Sequence, residues 1–210
     1  MKINTINKIL KVQLKIFRFN KDTDYLPHYD TYKLDVAQDE LMLDTMNRIK
    51  EIDGSFTYRS SCRHGVCGSC AIKVNGKATL ACTQKVHELV DLFGDELTLE
   101  PQSKQRAYKD MVIDKKDYWD KYNSVSPYLL TNTEQSQNTP NIVSQEEVDL
   151  IDNTDACIQC GACYYSCPVI EVNPKFTGPA ALLNAFRFNN DVSSYSCPCC
   201  YYYYAKQLNF

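Results

Sequence analysis

The chain has 210 residues, a formal net charge of −3 and a pI of about 5.6, so no excess of positive charge draws it to nucleic acid or to anionic lipid. Nowhere do about 18 apolar residues run together, which excludes a helix spanning a bilayer, and the N-terminal MKINTINKILKVQLKIF lacks the apolar core and small-residue cleavage site of a secretory signal. Eleven cysteines pose a choice between disulfides and metal, and their placement in two separate halves favours two small domains.

In chain order, KVQLKIFR at 11–18 alternates as a half-buried strand, with Val12, Leu14 and Ile16 on one face. YKLDV at 32–36 alternates again, which predicts an antiparallel pair. Leu41, Met42, Met46, Ile49 and Ile52 recur at helical spacing, and Asp53-Gly54 stops that helix. FTYRSS at 56–61 reads as a strand leading into SCRHGVCGSC. AIKVNGKATLAC then folds as a hairpin around Asn75-Gly76 and returns Cys82 to the loop. His87 is expected on an exposed polar stretch, and ELTLEP at 96–101 is the last strand, with Pro101 ending the domain.

Between Gln102 and Tyr128 the pattern turns helical, with Met111, Val112, Tyr118, Trp119 and Tyr122 on a packing face, and Trp119 is read as core or interface. Residues 131–141 are polar and read as an exposed loop. Ser144 to Glu147 forms a Ser-x-x-Glu capping box that starts a helix running to the next cysteines. GPAALLNAFRF is a further helix, with Pro179 near its start and Leu182, Leu183 and Phe186 on one side. The last stretch, VSSYSCPCCYYYYAKQLNF, crowds Cys197, Cys199 and Cys200 before four tyrosines and is unlike anything upstream.

Two spacings carry the chemistry. Cys62, Cys67, Cys70 and the later Cys82 follow C-x4-C-x2-C, the plant-type ferredoxin spacing for a 2Fe-2S centre. Cys157, Cys160, Cys163 and Cys167 follow C-x2-C-x2-C-x3-C and are closed by Pro168. In that pattern the fourth thiolate often serves a neighbouring cluster, so one motif implies two centres. These spacings favour metal binding in a reducing compartment over disulfides for the first eight cysteines. Gly65 and Gly68 suit a loop whose backbone N–H groups point at sulfur. His64 is read as a non-ligand, because four cysteines already complete its set.

SCRHGVCGSC with LAC, followed by CIQCGACYYSCP and NPKFTGPAALLNAFRFNND, resembles the iron-sulfur subunit of the succinate dehydrogenase and fumarate reductase family over about residues 11–192. The resemblance implies an α+β fold. A plant-type 2Fe-2S ferredoxin (β-grasp) domain over 1–104 would precede an all-α bacterial-ferredoxin-like domain over 105–210. It implies 2Fe-2S ligation by Cys62, Cys67, Cys70 and Cys82, three 4Fe-4S ligands in Cys157, Cys160 and Cys163, and a first 3Fe-4S ligand in Cys167. Pro168 corresponds to a residue beside the family's quinone site. The tryptophan that succinate dehydrogenases commonly place shortly after that proline is missing, which tilts the match toward the fumarate reductase branch.

The partners implied are an FAD-containing flavoprotein and a membrane anchor that handles quinone. The chain would lie on the cytoplasmic face of the inner membrane or the matrix face of the mitochondrial one, pass electrons singly, and need no catalytic acid, base or nucleophile. Its tail departs from the family, whose members continue and supply three more cysteines at spacings that CPCC does not match. Three readings of this tail stand: a frameshifted or truncated frame, a split subunit, or a variant using Cys197, Cys199 or Cys200; the tyrosine run favours the first, which would leave the last two clusters short of ligands. Two rival functions are a soluble ferredoxin-like carrier, for which −3 is a mild charge, and a chain holding only its 2Fe-2S centre.

Overall fold

A computed structural model describes residues 9–129 and 142–191. The chain divides into two compact units, Met1–Asp114 and Lys115–Phe210, a division later than the boundary at 104 expected from the sequence. Among the described residues no helix is long and apolar enough to cross a membrane. The polar stretch 131–141 and Cys197, Cys199 and Cys200 lie outside the described residues.

The first unit is built on a five-stranded sheet in the order β2-β1-β5-β3-β4. Strand β1 (Ile9–Arg18) pairs antiparallel with β2 (His28–Ala37). The predicted alternation holds: Val12, Leu14 and Ile16 are buried while Lys11 and Lys15 face water. Fully burying each such side chain is worth about 1.5–3 kcal/mol, which fixes the register, since a slip by one residue would turn the lysines inward. Helix α1 (Met42–Ile52) lays Met42, Leu43, Met46 and Ile49 on the same core and ends at Asp53.

Strands β3 (Ala71–Val74) and β4 (Lys77–Leu80) form the predicted hairpin, and Asn75 and Gly76 both adopt positive φ, as a tight two-residue turn requires. Helix α2 (Val86–Phe93) follows, and β5 (Glu96–Glu100) closes the sheet, parallel to β1 and antiparallel to β3. The unit continues past Pro101 through the short hairpin of β6 (Ala107–Lys109) and β7 (Val112–Ile113).

Four expectations are corrected here. FTYRSS is not a strand: the Thr57 amide donates to the Asp110 carboxylate at 2.8 Å and its carbonyl accepts from Met111 at 3.1 Å, so no ladder forms. Met111 and Val112 belong to the β6-β7 hairpin and not to a helix. His87 lies on α2, half-buried, with its Nδ1 against the Gln38 carbonyl. Trp119 is 38% exposed and so is not a core residue, although its ring packs edge-on against Tyr118 and Tyr122; the interface half of its reading is not contradicted.

The described part of the second unit is helical: α3 (Lys116–Asn123), α4 (Gln145–Leu150), α5 (Ala162–Tyr165), α6 (Pro168–Val172) and α7 (Pro179–Asn190). The capping box forms as expected, the Ser144 amide donating to Glu147 at 2.7 Å, but α4 is short and a single 3-10 turn at Thr154–Ala156 intervenes before Cys157. Helix α7 buries Ala180, Ala181, Asn184 and Ala185, whereas Leu182, Leu183 and Phe186 are half-buried. Small residues on the inner face let the helix approach α3 and α5 closely.

Candidate metal centres

The first cysteine loop is held at both ends by hydrogen bonds that its flanking elements cannot make among themselves. Upstream, Arg18 is buried and donates to Asp110 at 3.1 Å, Asp30 at 2.8 Å, Ser55 at 2.6 Å and Asp53. Asp110, 2% exposed, in turn accepts from the amides of Phe19 and Thr57. This network pins 53–57, the approach to the loop. Downstream, the Leu43 amide at the start of α1 donates to the Ala81 carbonyl at 2.9 Å, and the Ala81 amide donates to the Cys70 carbonyl at 3.1 Å. Cys82 is thereby delivered beside Cys70.

The thiols of this loop act on one another, Cys62 on Cys67, and Cys82, then Cys67, on Cys70. The His64 amide donates to Cys62 Sγ and the Gly65 amide to Cys82 Sγ, each at 3.3 Å. The environments differ: Cys70 and Cys82 belong to the hydrophobic core, whereas Cys67 is exposed. Hydrogen bonds from Ser69, and then from Cys62, hold the Cys67 thiol down to about 6, while burial pushes Cys70 up to about 11. His64 is exposed, and its backbone amide reaches the Cys62 sulfur.

The second loop is shaped by left-handed residues at Gln159 and Gly161. Helix α3 braces it: Lys115 Nζ donates to the Cys160 carbonyl at 2.7 Å, and Gln159 donates to the Tyr122 hydroxyl at 2.5 Å. Tyr164, following Cys163, donates to Asp117 at 2.8 Å. Cys157, Cys160 and Cys163 all act electrostatically on Tyr118, and burial, then Cys160 and Cys157, raise the Cys163 thiol. Cys167 caps α6, and Pro168 opens that helix on an exposed position.

Among the described residues no group of three or more His, Cys, Asp or Glu is placed to hold a single metal ion. The donor chemistry instead suits multi-iron centres: amides that donate to the Cys62 and Cys82 sulfurs in the first loop, and Cys157, Cys160 and Cys163 set around the left-handed residues Gln159 and Gly161 in the second. Thiolate charge concentrated around iron is stabilised by such N–H donors. The sequence did not reveal Tyr118 as part of this surrounding; its helical spacing marks it only as an inward residue.

Residues 13–120 match the family model of a 2Fe-2S iron-sulfur cluster binding domain, and residues 150–169 that of a 4Fe-4S binding domain. The chain is 35% identical over 179 residues to a succinate dehydrogenase iron-sulfur subunit of Coxiella burnetii, covering 84% of this chain and 74% of the relative. It is 30% identical over 192 residues to a fumarate reductase iron-sulfur subunit of Haemophilus influenzae, covering 86% and 73%. A chain of the solved Mycobacterium smegmatis Sdh1 complex in the apo form shares the fold, with a TM-score of 0.77 at 22% identity over 90% of this chain and 78% of that one. Matched along most of its length by relatives of both branches, the chain is a 2Fe-2S and 4Fe-4S protein and belongs to the family of iron-sulfur subunits of succinate dehydrogenase and fumarate reductase.

Proposed function

We propose that this chain relays single electrons between an FAD-containing flavoprotein and membrane quinone in a succinate:quinone oxidoreductase or quinol:fumarate reductase. The observation that carries this reading is the donation of the His64 and Gly65 amides to the sulfurs of Cys62 and Cys82, each at 3.3 Å, in a loop whose four cysteines would give each of two irons two terminal ligands. Cys157, Cys160 and Cys163 hold the 4Fe-4S centre, and Cys167 supplies a ligand to a 3Fe-4S centre close to Pro168 and the quinone. The first unit is then a β-grasp ferredoxin domain and the second an all-α ferredoxin-like one. The bound clusters supply one-electron chemistry, within an accessible range of roughly −700 to +450 mV.

The chain's own residues do the rest. The amides of His64 and Gly65 and the Ser69 hydroxyl stabilise thiolate charge, and the core around Cys70 and Cys82 keeps water from the inner sulfurs. No side chain is asked to act as acid, base or nucleophile. On this reading the subunit lies on the cytoplasmic or mitochondrial matrix face, a side supported by the metal-type cysteine spacings, and is held at the membrane by its anchor partner.

The test is iron and acid-labile sulfide per chain on the anaerobically purified complex, with EPR in oxidised and reduced states. About nine irons, an oxidised 3Fe-4S signal and co-purifying flavin are expected. About two irons and a lone reduced 2Fe-2S signal overturn the relay to quinone, and a preparation free of any flavoprotein overturns the fixed complex in favour of a mobile carrier.

A further inference from the structure

Tyr118 is 1% exposed, and its hydroxyl has no hydrogen-bond partner among the described residues. A buried polar group left unpaired costs about 1–3 kcal/mol, and a phenylalanine would fill the same space without that cost. The ring has no freedom to turn the hydroxyl outward. It is edge-on to Trp119 at 4.9 Å and to Tyr164 at 5.4 Å, stacked with Tyr122 at 6.1 Å and tilted against Tyr165 at 6.4 Å.

This donor sits against the second cysteine loop, since Tyr118 packs edge-on against Tyr164, the residue after Cys163, at 5.4 Å. Cys157, Cys163 and Cys160 all act on the Tyr118 hydroxyl. The hydrogen bonds on either side of Tyr118 along α3, from Lys115 to the Cys160 carbonyl and from Gln159 to Tyr122, fix the helix against that loop. A buried donor beside the second cysteine loop, with no acceptor among the described residues, lacks the sulfur that those cysteines would surround.

We propose that the Tyr118 hydroxyl donates a hydrogen bond to a sulfur of the 4Fe-4S centre held by Cys157, Cys160 and Cys163, and so raises the reduction potential of that centre. The inference rests on the assignment of those cysteines given above. Reduction adds one negative charge that is shared over the sulfurs, and a fixed donor stabilises the charged acceptor more than the less charged one. Tyr118 therefore acts through the cluster's electronics and positions nothing in the flavin or quinone sites.

The test is Tyr118→Phe in the cluster-loaded complex, read by EPR-monitored redox titration and by proton ENDOR of the reduced centre in H2O and D2O. The 4Fe-4S midpoint should fall by about tenfold in its reduction equilibrium, about 59 mV for a one-electron couple, with the 2Fe-2S midpoint unchanged and one exchangeable proton coupling lost. An unchanged 4Fe-4S midpoint with the exchangeable coupling retained overturns the inference and leaves the cysteine assignment standing. A wild-type complex without any 4Fe-4S signal overturns both. If the phenylalanine variant fails to assemble, 3-fluorotyrosine at position 118, a stronger donor of nearly the same shape, should move the midpoint upward; no movement, or movement downward, overturns the proposal.

Discussion

The amide of Gly65 points at the sulfur of Cys82 at 3.3 Å, across a space closed on its other side by Thr83, whose Cγ2 would lie 2.8 Å from a Cβ at position 65. Gly65 also has φ of 76°, where an L side chain costs about 1–2 kcal/mol. Gly65→Ala should thus push the loop from Cys82 and lower 2Fe-2S occupancy, while the 4Fe-4S signal is retained. Adding Thr83→Ser removes the clashing methyl and should restore part, not all, of the occupancy, because the backbone strain persists. Full occupancy in the single variant would sink the argument.

Among the described residues Arg18 is the cation paired with buried Asp110, and it also serves Asp30, Asp53 and Ser55. Removing one partner of a buried pair costs about 3–5 kcal/mol, since the remaining charge is stranded. Arg18→Met should destabilise the first unit by that order, and Arg18→Lys should recover only a fraction, because a point charge cannot reach donors on several sides. Denaturant midpoints of the three proteins check the ranking; equal midpoints for wild type and Arg18→Lys contradict it.

Hydrogen bonds from Ser55, and then from Arg18, hold the Asp53 carboxyl well below the usual carboxylate range. A depressed carboxylate contributes stability above its unfolded pKa of about 3.9 and loses it as pH falls toward the folded value. The stability gap between wild type and Asp53→Asn should therefore be constant from about pH 5 to 7 and should narrow below about pH 4. Thermal unfolding of both proteins across that range reads it, and a gap as wide at pH 3 as at pH 7 would contradict the linkage.

In the second unit, Gly178 opens α7 with φ of 98°, and a Cβ there would lie 2.8 Å from Cδ2 of Tyr164. Tyr164 neighbours Cys163 in sequence and packs on Tyr118 at 5.4 Å. Gly178→Ala should loosen the second cysteine loop and lower 4Fe-4S occupancy by several-fold, leaving the 2Fe-2S signal at full strength. Parallel loss of both signals would point to global unfolding and against this local route.

Where burial is periodic, the sequence announced the structure: Val12, Leu14 and Ile16 alternate, Met42, Met46 and Ile49 recur on one helical stripe, and Asn75-Gly76 marks its turn. Helix α2 is harder to read: Val86, Leu89, Val90 and Phe93 carry the i, i+3, i+4, i+7 signal, but the window begins directly after a cluster loop and is broken by His87, Glu88 and Asp91. FTYRSS has strand propensity, but its Thr57 amide is claimed by Asp110, distant in sequence, which no local pattern could disclose. The cysteine spacings made both candidate sites legible by position. Their surroundings were not: the aromatic packing of Tyr118, Tyr122, Tyr164 and Tyr165 joins segments far apart in the chain, and Trp119 is left partly outside it.

The thiols do not share one environment, and this sets where oxidative damage starts. Cys70 and Cys82 are walled into the core, while Cys67 and Cys163 stand at the surface. Peroxide and chelators attack accessible thiolate first. Corrosion of this conductor accordingly begins at Cys67, whose thiol is both exposed and held low, and the inner pair, behaving as small hydrophobes when unligated, keeps the first unit's frame in place for repair.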